Sequence, residues 1–146
     1  MTGNGQPSQD GAVPTSPTAL SPAAIEFLTE RHLASLTTLR ADGSPHVVPV
    51  GFGYDAAAGI VRIITFAGAV KARNAARGGR AAVSQVDGGR WITLEGPSRL
   101  VTDAEGVSRA EQAYAARYQQ PRERADRVAI EIAVDRVLCG VALKGA

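Results

Sequence analysis

The chain has 146 residues, with 45% hydrophobic residues, 21% charged residues and a formal net charge of +2. That length suits one globular domain, and the hydrophobic share excludes a wholly disordered or collagen-like chain. Sixteen basic against fourteen acidic residues lie too near balance to mark a nucleic-acid binder. Aromatic residues are only 5%, so Val, Ile, Leu and Ala must fill the core. Two of the cations, Lys71 and Lys144, are lysines and the other fourteen are arginines. The lone Cys139 excludes an internal disulfide and fits a reducing compartment. It lies among Val137, Leu138 and Val141, where a buried small hydrophobe is expected. No apolar run reaches the length of a membrane span. No Lys or Arg precedes Arg31, so the basic start of a secretory signal is missing. The expectation is a soluble cytoplasmic protein.

Residues 1–20 are rich in Gly, Pro, Ser, Thr and Gln and read as a flexible tail, leaving 21–146 as a single domain. Ser21-Pro22 predicts a helix start, with a capping hydroxyl before Pro at the first helical position, and the helix runs to about Arg31. Leu33 to Arg40 and His46 to Tyr54 read as strands joined by the turn Ala41-Asp42-Gly43-Ser44. A third strand spans Ile60 to Phe66, and a short helix spans Ala69 to Arg77, closed by Gly78-Gly79. Arg80 to Val86 and Arg90 to Val101 form a hairpin around Asp87-Gly88-Gly89. Asp103 to Tyr118 has helical spacing, Pro121 to Asp126 is a polar link, and Val128 to Val134 and Val137 to Leu143 close the chain as strands. Hairpins dominate and no strand–helix–strand rhythm repeats. The fold class is α+β, an antiparallel barrel with short flanking helices.

The chain carries no Gly-rich dinucleotide loop, no Walker motif, no metal-ligand spacing and no nucleophile elbow. No catalytic side chain and no metal site is expected. His32 and His46 stand too far apart in sequence to suggest a ligand pair, and His46 reads as structural. The positive signal is electrostatic. No acidic residue occurs between Asp55 and Asp87, whereas Arg62, Lys71, Arg73, Arg77 and Arg80 do. Lys71 falls in the first turn of a predicted helix, where a cation opposes the dipole unless an anion docks there. The same pattern also fits a solvated basic face. Trp91 stacks on a planar ligand or plugs the core, and the core is the better expectation.

The runs His46-Val47-Val48-Pro49-Val50-Gly51-Phe52, Ile63-Ile64-Thr65, Lys71-Ala72-Arg73-Asn74 and Arg90-Trp91-Ile92-Thr93-Leu94-Glu95-Gly96 resemble the flavin and deazaflavin oxidoreductases of split β-barrel fold. Pyridoxamine-phosphate oxidase is the best-known member, and the resemblance spans Ser21 to Leu143. It implies an FMN-binding type of split barrel. Glu30 to Leu33, Leu36 to Asp42, Ser44 to Val48 and Ser84 to Gly88 are most similar to members that use coenzyme F420, a deazaflavin, to reduce biliverdin.

The resemblance implies a homodimer with the cofactor in a groove at the subunit interface. Lys71 would contact the cofactor phosphate, with Ile64 and Thr65 lining the same pocket and Val48, Pro49 and Val50 beside the ring. Asn74 would reach the linker or acidic tail, and Trp91 would stand at a flavin-contacting place. Arg73 and Arg90 are candidates for the carboxylates of a tetrapyrrole substrate. Pyridoxamine-phosphate oxidases carry Ser-Arg-Lys where this chain has Ala69-Val70-Lys71, which removes two phosphate ligands and disfavours tight FMN binding. Coenzyme F420 is therefore the expected cofactor and FMN the alternative. A non-catalytic deazaflavin carrier is a further alternative. Neither nucleic acid nor membrane is an expected partner.

Overall fold

A computed structural model describes residues 20–144. Apart from Leu20, which packs against the core, the expected tail lies outside the described residues. Helix α1 (Pro22–Thr29) begins where the Ser21 hydroxyl accepts the Ala24 amide at 3.1 Å, with Pro in the first turn. The same hydroxyl donates to the Leu143 carbonyl at 2.7 Å, tying this helix to the last described turn. Its buried side, Ala24, Phe27 and Leu28, joins the main core.

The strands are β1 (Ala34–Leu39), β2 (Pro45–Val50), β3 (Gly53–Asp55), β4 (Ile60–Phe66), β5 (Arg80–Asp87), β6 (Arg90–Val101), β7 (Arg127–Ala133) and β8 (Arg136–Cys139). Helix α2 (Val70–Ala76) follows β4 and α3 (Ala104–Arg117) follows β6. All pairings are antiparallel, in the order β2-β1-β5-β6-β7-β4-β3, with β8 also on β6. Alternation along β1 and β4 turns Leu36, Val61 and Ile63 inward to meet Phe27, Phe52, Ile92, Leu94 and Ile130. This is the expected antiparallel α+β architecture.

The long strand β6 makes the barrel possible. Residues Arg90 to Pro97 pair with β5, while Ser98 to Val101 pair with β7. Just before this change of partner stands Gly96, whose backbone lies against Ala133: a Cβ there would sit 1.9 Å from the Ala133 carbonyl oxygen. Only glycine admits that approach.

Two expectations need correction. The strand His46 to Tyr54 is two strands, because β2 pairs with β1 whereas β3 pairs with β4. The break falls at Gly51-Phe52, where the Phe52 amide donates to the Tyr118 hydroxyl at 3.2 Å instead of to a strand. The closing strand stops at Cys139, and Val141–Leu143 is a short 3-10 turn. Gly140 lies under the Trp91 indole, and the chain then turns to meet Ser21.

Beyond α1, Glu30 accepts two hydrogen bonds of 3.0 Å from Arg90 and is 3.0 Å from His32. The Arg90 hydrogen bonds, then that of His32, hold the Glu30 carboxyl down from 4.5 to about 2. A depressed carboxyl contributes stability that is present above 4.5 and lost as pH falls through about 2. Urea melts across this range should therefore show a shallower acid loss for Glu30→Gln than for the parent. Identical acid limbs would remove this pairing from the stability of the fold. For the corner, Gly96→Ala should cost about 3 kcal/mol or more, or prevent folding; a thermal melt within a degree of the parent would refute the close approach.

Candidate functional site

The two sheet edges are β2 and β3, so the barrel is open along one seam. Beyond Arg62, β4 has no β3 partner, and its free end, Ile64 to Phe66, shares a cleft of about 440 Å³ with Pro49, Val50 and Gly51 of the β2 end. Lys71 of α2, Tyr114 of α3 and the link that follows α3 complete the lining, including Gln119, Arg122, Arg124 and Arg127. Four cations and no carboxylate line this space.

The donors here are incompletely used. Thr65 is 7% exposed, and its Oγ1 is buried with no hydrogen-bond partner. The Arg127 Nε is likewise buried and unpartnered, although its Nη1 donates to Glu111 at 3.2 Å. Lys71 makes no ion pair or side-chain hydrogen bond among the described residues, and burial pulls its pKa below the ordinary ammonium range. Arg124 lies 4.1 Å from the Phe66 ring centre while its Nε donates to Asp126 at 2.6 Å. Buried donors without partners are costly, so the arrangement fits an anion that accepts from several of them. The α2 N-cap, Ala69, makes no side-chain cap bond. The Lys71 side chain, rather than a capped helix end, is what α2 brings to the cleft.

The structure brings together five of the residues singled out in the sequence: Pro49, Val50, Ile64, Thr65 and Lys71. Val48 packs partly buried against the core. Four others lie outside the lining. Asn74 is buried and donates to Thr38 Oγ1 at 3.0 Å, fastening α2 to β1. Trp91 faces Gly140 and pairs across the hairpin with Val86. Arg73 donates to the Gly68 carbonyl at 2.7 Å. Arg90 is engaged by Glu30 and Asp87 and lies 4.4 Å from the Phe27 ring centre. Among the described residues, one group of potential metal ligands, Glu30, His32 and Asp87, comes together, and the Arg90 cation already bridges its two carboxylates.

Tyr114, Arg122, Arg124 and Arg127 were missed. The signal was three arginines within six residues, in a stretch read only as a polar link.

An open antiparallel barrel with a cationic, carboxylate-free cleft at its seam is a split barrel of α+β class. Residues 20–138 match the family described as Pyridoxamine 5'-phosphate oxidase, and the chain belongs to this family. It is 53% identical over 127 residues to the F420H(2)-dependent biliverdin reductase of Mycobacterium tuberculosis, covering 87% of this chain and 93% of that protein. Among solved structures it is similar to an F420 reductase, with 25% identity, a TM-score of 0.63 and coverage of 77% of this chain and 93% of that one. A conserved hypothetical protein of Mycobacterium tuberculosis shares the fold at 23% identity and a TM-score of 0.66, over 77% of this chain and 79% of that one.

The unpartnered hydroxyl yields a direct test. Thr65→Val should raise the stability of the ligand-free protein by about 1 kcal/mol, because an isosteric apolar group removes an unsatisfied donor. The same change should weaken binding of a phosphate-bearing ligand. A urea melt that shows lost stability would mean that the hydroxyl has a partner.

Proposed function

We propose that this protein is a coenzyme F420-dependent reductase of a conjugated tetrapyrrole, biliverdin being the substrate that its 53% identical relative is named for. The observation that carries this reading is the cleft in which Lys71, Thr65 Oγ1 and Arg127 Nε stand without acceptors. These three would hold the cofactor phosphate. Pro49, Val50, Gly51 and Ile64 form an apolar floor that would keep water from a bound ring. When bound, the reduced deazaflavin supplies a hydride to an electron-poor carbon of the substrate.

Arg122 makes no ion pair among the described residues and lines the cleft, so its planar fork is free for a carboxylate of the ligand or substrate. No side chain in the lining needs to act as a nucleophile or metal ligand in this scheme. The work of the chain is to place and orient the reactants, which can remove several kcal/mol from a barrier.

A homodimer is part of the proposal. On the outer side of β2, β1 and β5, register places Val47 beside Thr37 and Thr37 beside Ala82. Val47 is 57% exposed, and Leu39 and Val86 on the same face are also exposed. A face this apolar favours burial against a second copy. Pro49, which lines the cleft, lies on the same edge. No described helix is long and apolar enough to cross a membrane, and the single buried Cys139 supports a reducing, cytoplasmic setting.

Steady-state reduction of biliverdin by reduced coenzyme F420, run beside reduced FMN and NADPH, tests the reading. Turnover is expected with the deazaflavin alone; turnover with FMN alone would assign the cleft to a flavin. Lys71→Ala should weaken coenzyme F420 binding by about 1.5–3 kcal/mol at low salt, the range for a hydrogen bond to a charged group. Equal affinity in a fluorescence titration would remove Lys71 from the phosphate site.

A further inference from the structure

The last turn of α3 holds a second guanidinium system that the cleft does not consume. Arg117 is 9% exposed. Its Nε donates to the Glu30 carbonyl at 2.7 Å, its Nη1 to the Phe52 carbonyl at 2.8 Å and its Nη2 to Gln85 Oε1. Gln85 is itself buried and donates to the Phe27 carbonyl at 3.0 Å. Arg117 has no carboxylate partner among the described residues; it meets neutral acceptors and the Phe52 ring, 4.7 Å from its centre. An apolar side chain of this volume would be less costly to bury. A guanidinium adds direction, because its rigid fork addresses three separate chain segments at once.

Tyr118 continues the same contact. Its hydroxyl donates to the His32 carbonyl at 2.6 Å and accepts the Phe52 amide at 3.2 Å. Its ring lies on Gly51, where a Cβ would come within 3.0 Å of it. Residues 119–126 are then neither helix nor strand, yet Gln119, Gln120, Pro121, Arg122 and Arg124 wall the cleft. The far end of this wall is tied by the Ala67 amide to the Asp126 carbonyl at 3.0 Å. Between those ties, no backbone–backbone hydrogen bond among the described residues involves residues 119–123.

We propose that Arg117 and Tyr118 are positioning residues: by fixing the end of α3 to Glu30, His32, Phe52 and Gln85, they hold the arginine-bearing wall over the β2–β4 floor. The effect on binding rests on the coenzyme F420 reading above; the effect on the wall does not.

Three variants test this. Tyr118→Phe keeps the ring on Gly51 and removes both hydroxyl bonds, and Arg117→Lys keeps the charge and removes the fork. Val137→Ala, on β8 and away from the cleft, is the destabilised control. In the ligand-free protein, the first two should speed amide exchange at Tyr118 and Ala67, the hydrogen-bonded amides at the two ends of the wall, about tenfold, the effect of losing one buried hydrogen bond, while β5 and β6 stay protected. Val137→Ala should speed exchange at Tyr118 and Ala67 no more than in the rest of the chain.

At a temperature where all are folded, the dissociation constant for oxidised coenzyme F420 should rise about tenfold in the first two variants and stay level in the control. Its dependence on salt should become shallower, since displaced arginines no longer contribute charge. Unchanged exchange at Tyr118 and Ala67 overturns the anchor, and faster exchange with unchanged affinity overturns its link to the cleft. If the parent itself binds no coenzyme F420, the functional reading fails while the exchange data still decide the anchor. Should Arg117→Lys not fold, Tyr118→Phe decides alone.

Discussion

The contact between the Gly96 backbone and the Ala133 carbonyl governs the shape of this molecule. It lets a single 12-residue strand serve β5 and β8 with its first part and β7 with its last. The sheet therefore curls around one core, yet its two edges, β2 and β3, do not pair. An unpaired edge is a hazard for most proteins. Here the free end of β4 is covered by the start of α2 and the link after α3, and the space left between them is the cleft.

Charge is distributed around this seam in a way that the net value hides. Away from the cleft, acidic residues pair with arginines: Asp55 and Glu131 with Arg62, Asp135 with Arg80, and Glu30 and Asp87 with Arg90. Outside the cleft lining, Glu111 and Asp126 reach only parts of Arg127 and Arg124, and Lys71 and Arg122 have no carboxylate partner among the described residues. A near-neutral chain thus carries a local positive field in a partly desolvated space, where it acts most strongly on an anion. The scarcity of built-in acceptors, with Thr65 Oγ1 and Arg127 Nε buried and unpartnered, points the same way.

Much of the architecture was legible in the sequence because it rests on short-range signals. The Ser21-Pro22 cap and the Asp87-Gly88-Gly89 hairpin are local, and Gly88 takes the positive φ of 60° that this hairpin requires. The break at Gly51 was not legible, since the apolar pattern runs on through Phe52; the cause is a tyrosine 66 residues away. The acid-free window did single out Lys71, whereas Thr65 was named only through the family resemblance; the structure turns it inward at the same cleft. Arg122, Arg124 and Arg127 carry no periodicity, and their place depends on how α3 ends. Arg90, a candidate for a substrate carboxylate in the sequence, is instead engaged by Glu30, 60 residues earlier, a pairing that no local pattern signals.

The cleft assignment makes one component of the ligand decisive. In the proposed reading, Lys71, Thr65 and Arg127 would hold a phosphate, whereas the floor of Pro49, Val50 and Ile64 would lie against a ring. The most direct measurement compares dissociation constants, at low salt, for oxidised coenzyme F420 and for the same deazaflavin stripped of its phosphate and acidic tail. Loss of those groups should weaken binding at least about tenfold, as expected when charge-assisted hydrogen bonds are lost, and Lys71→Ala should erase much of the difference. Equal affinity for the two ligands would contradict a phosphate cradle at this seam.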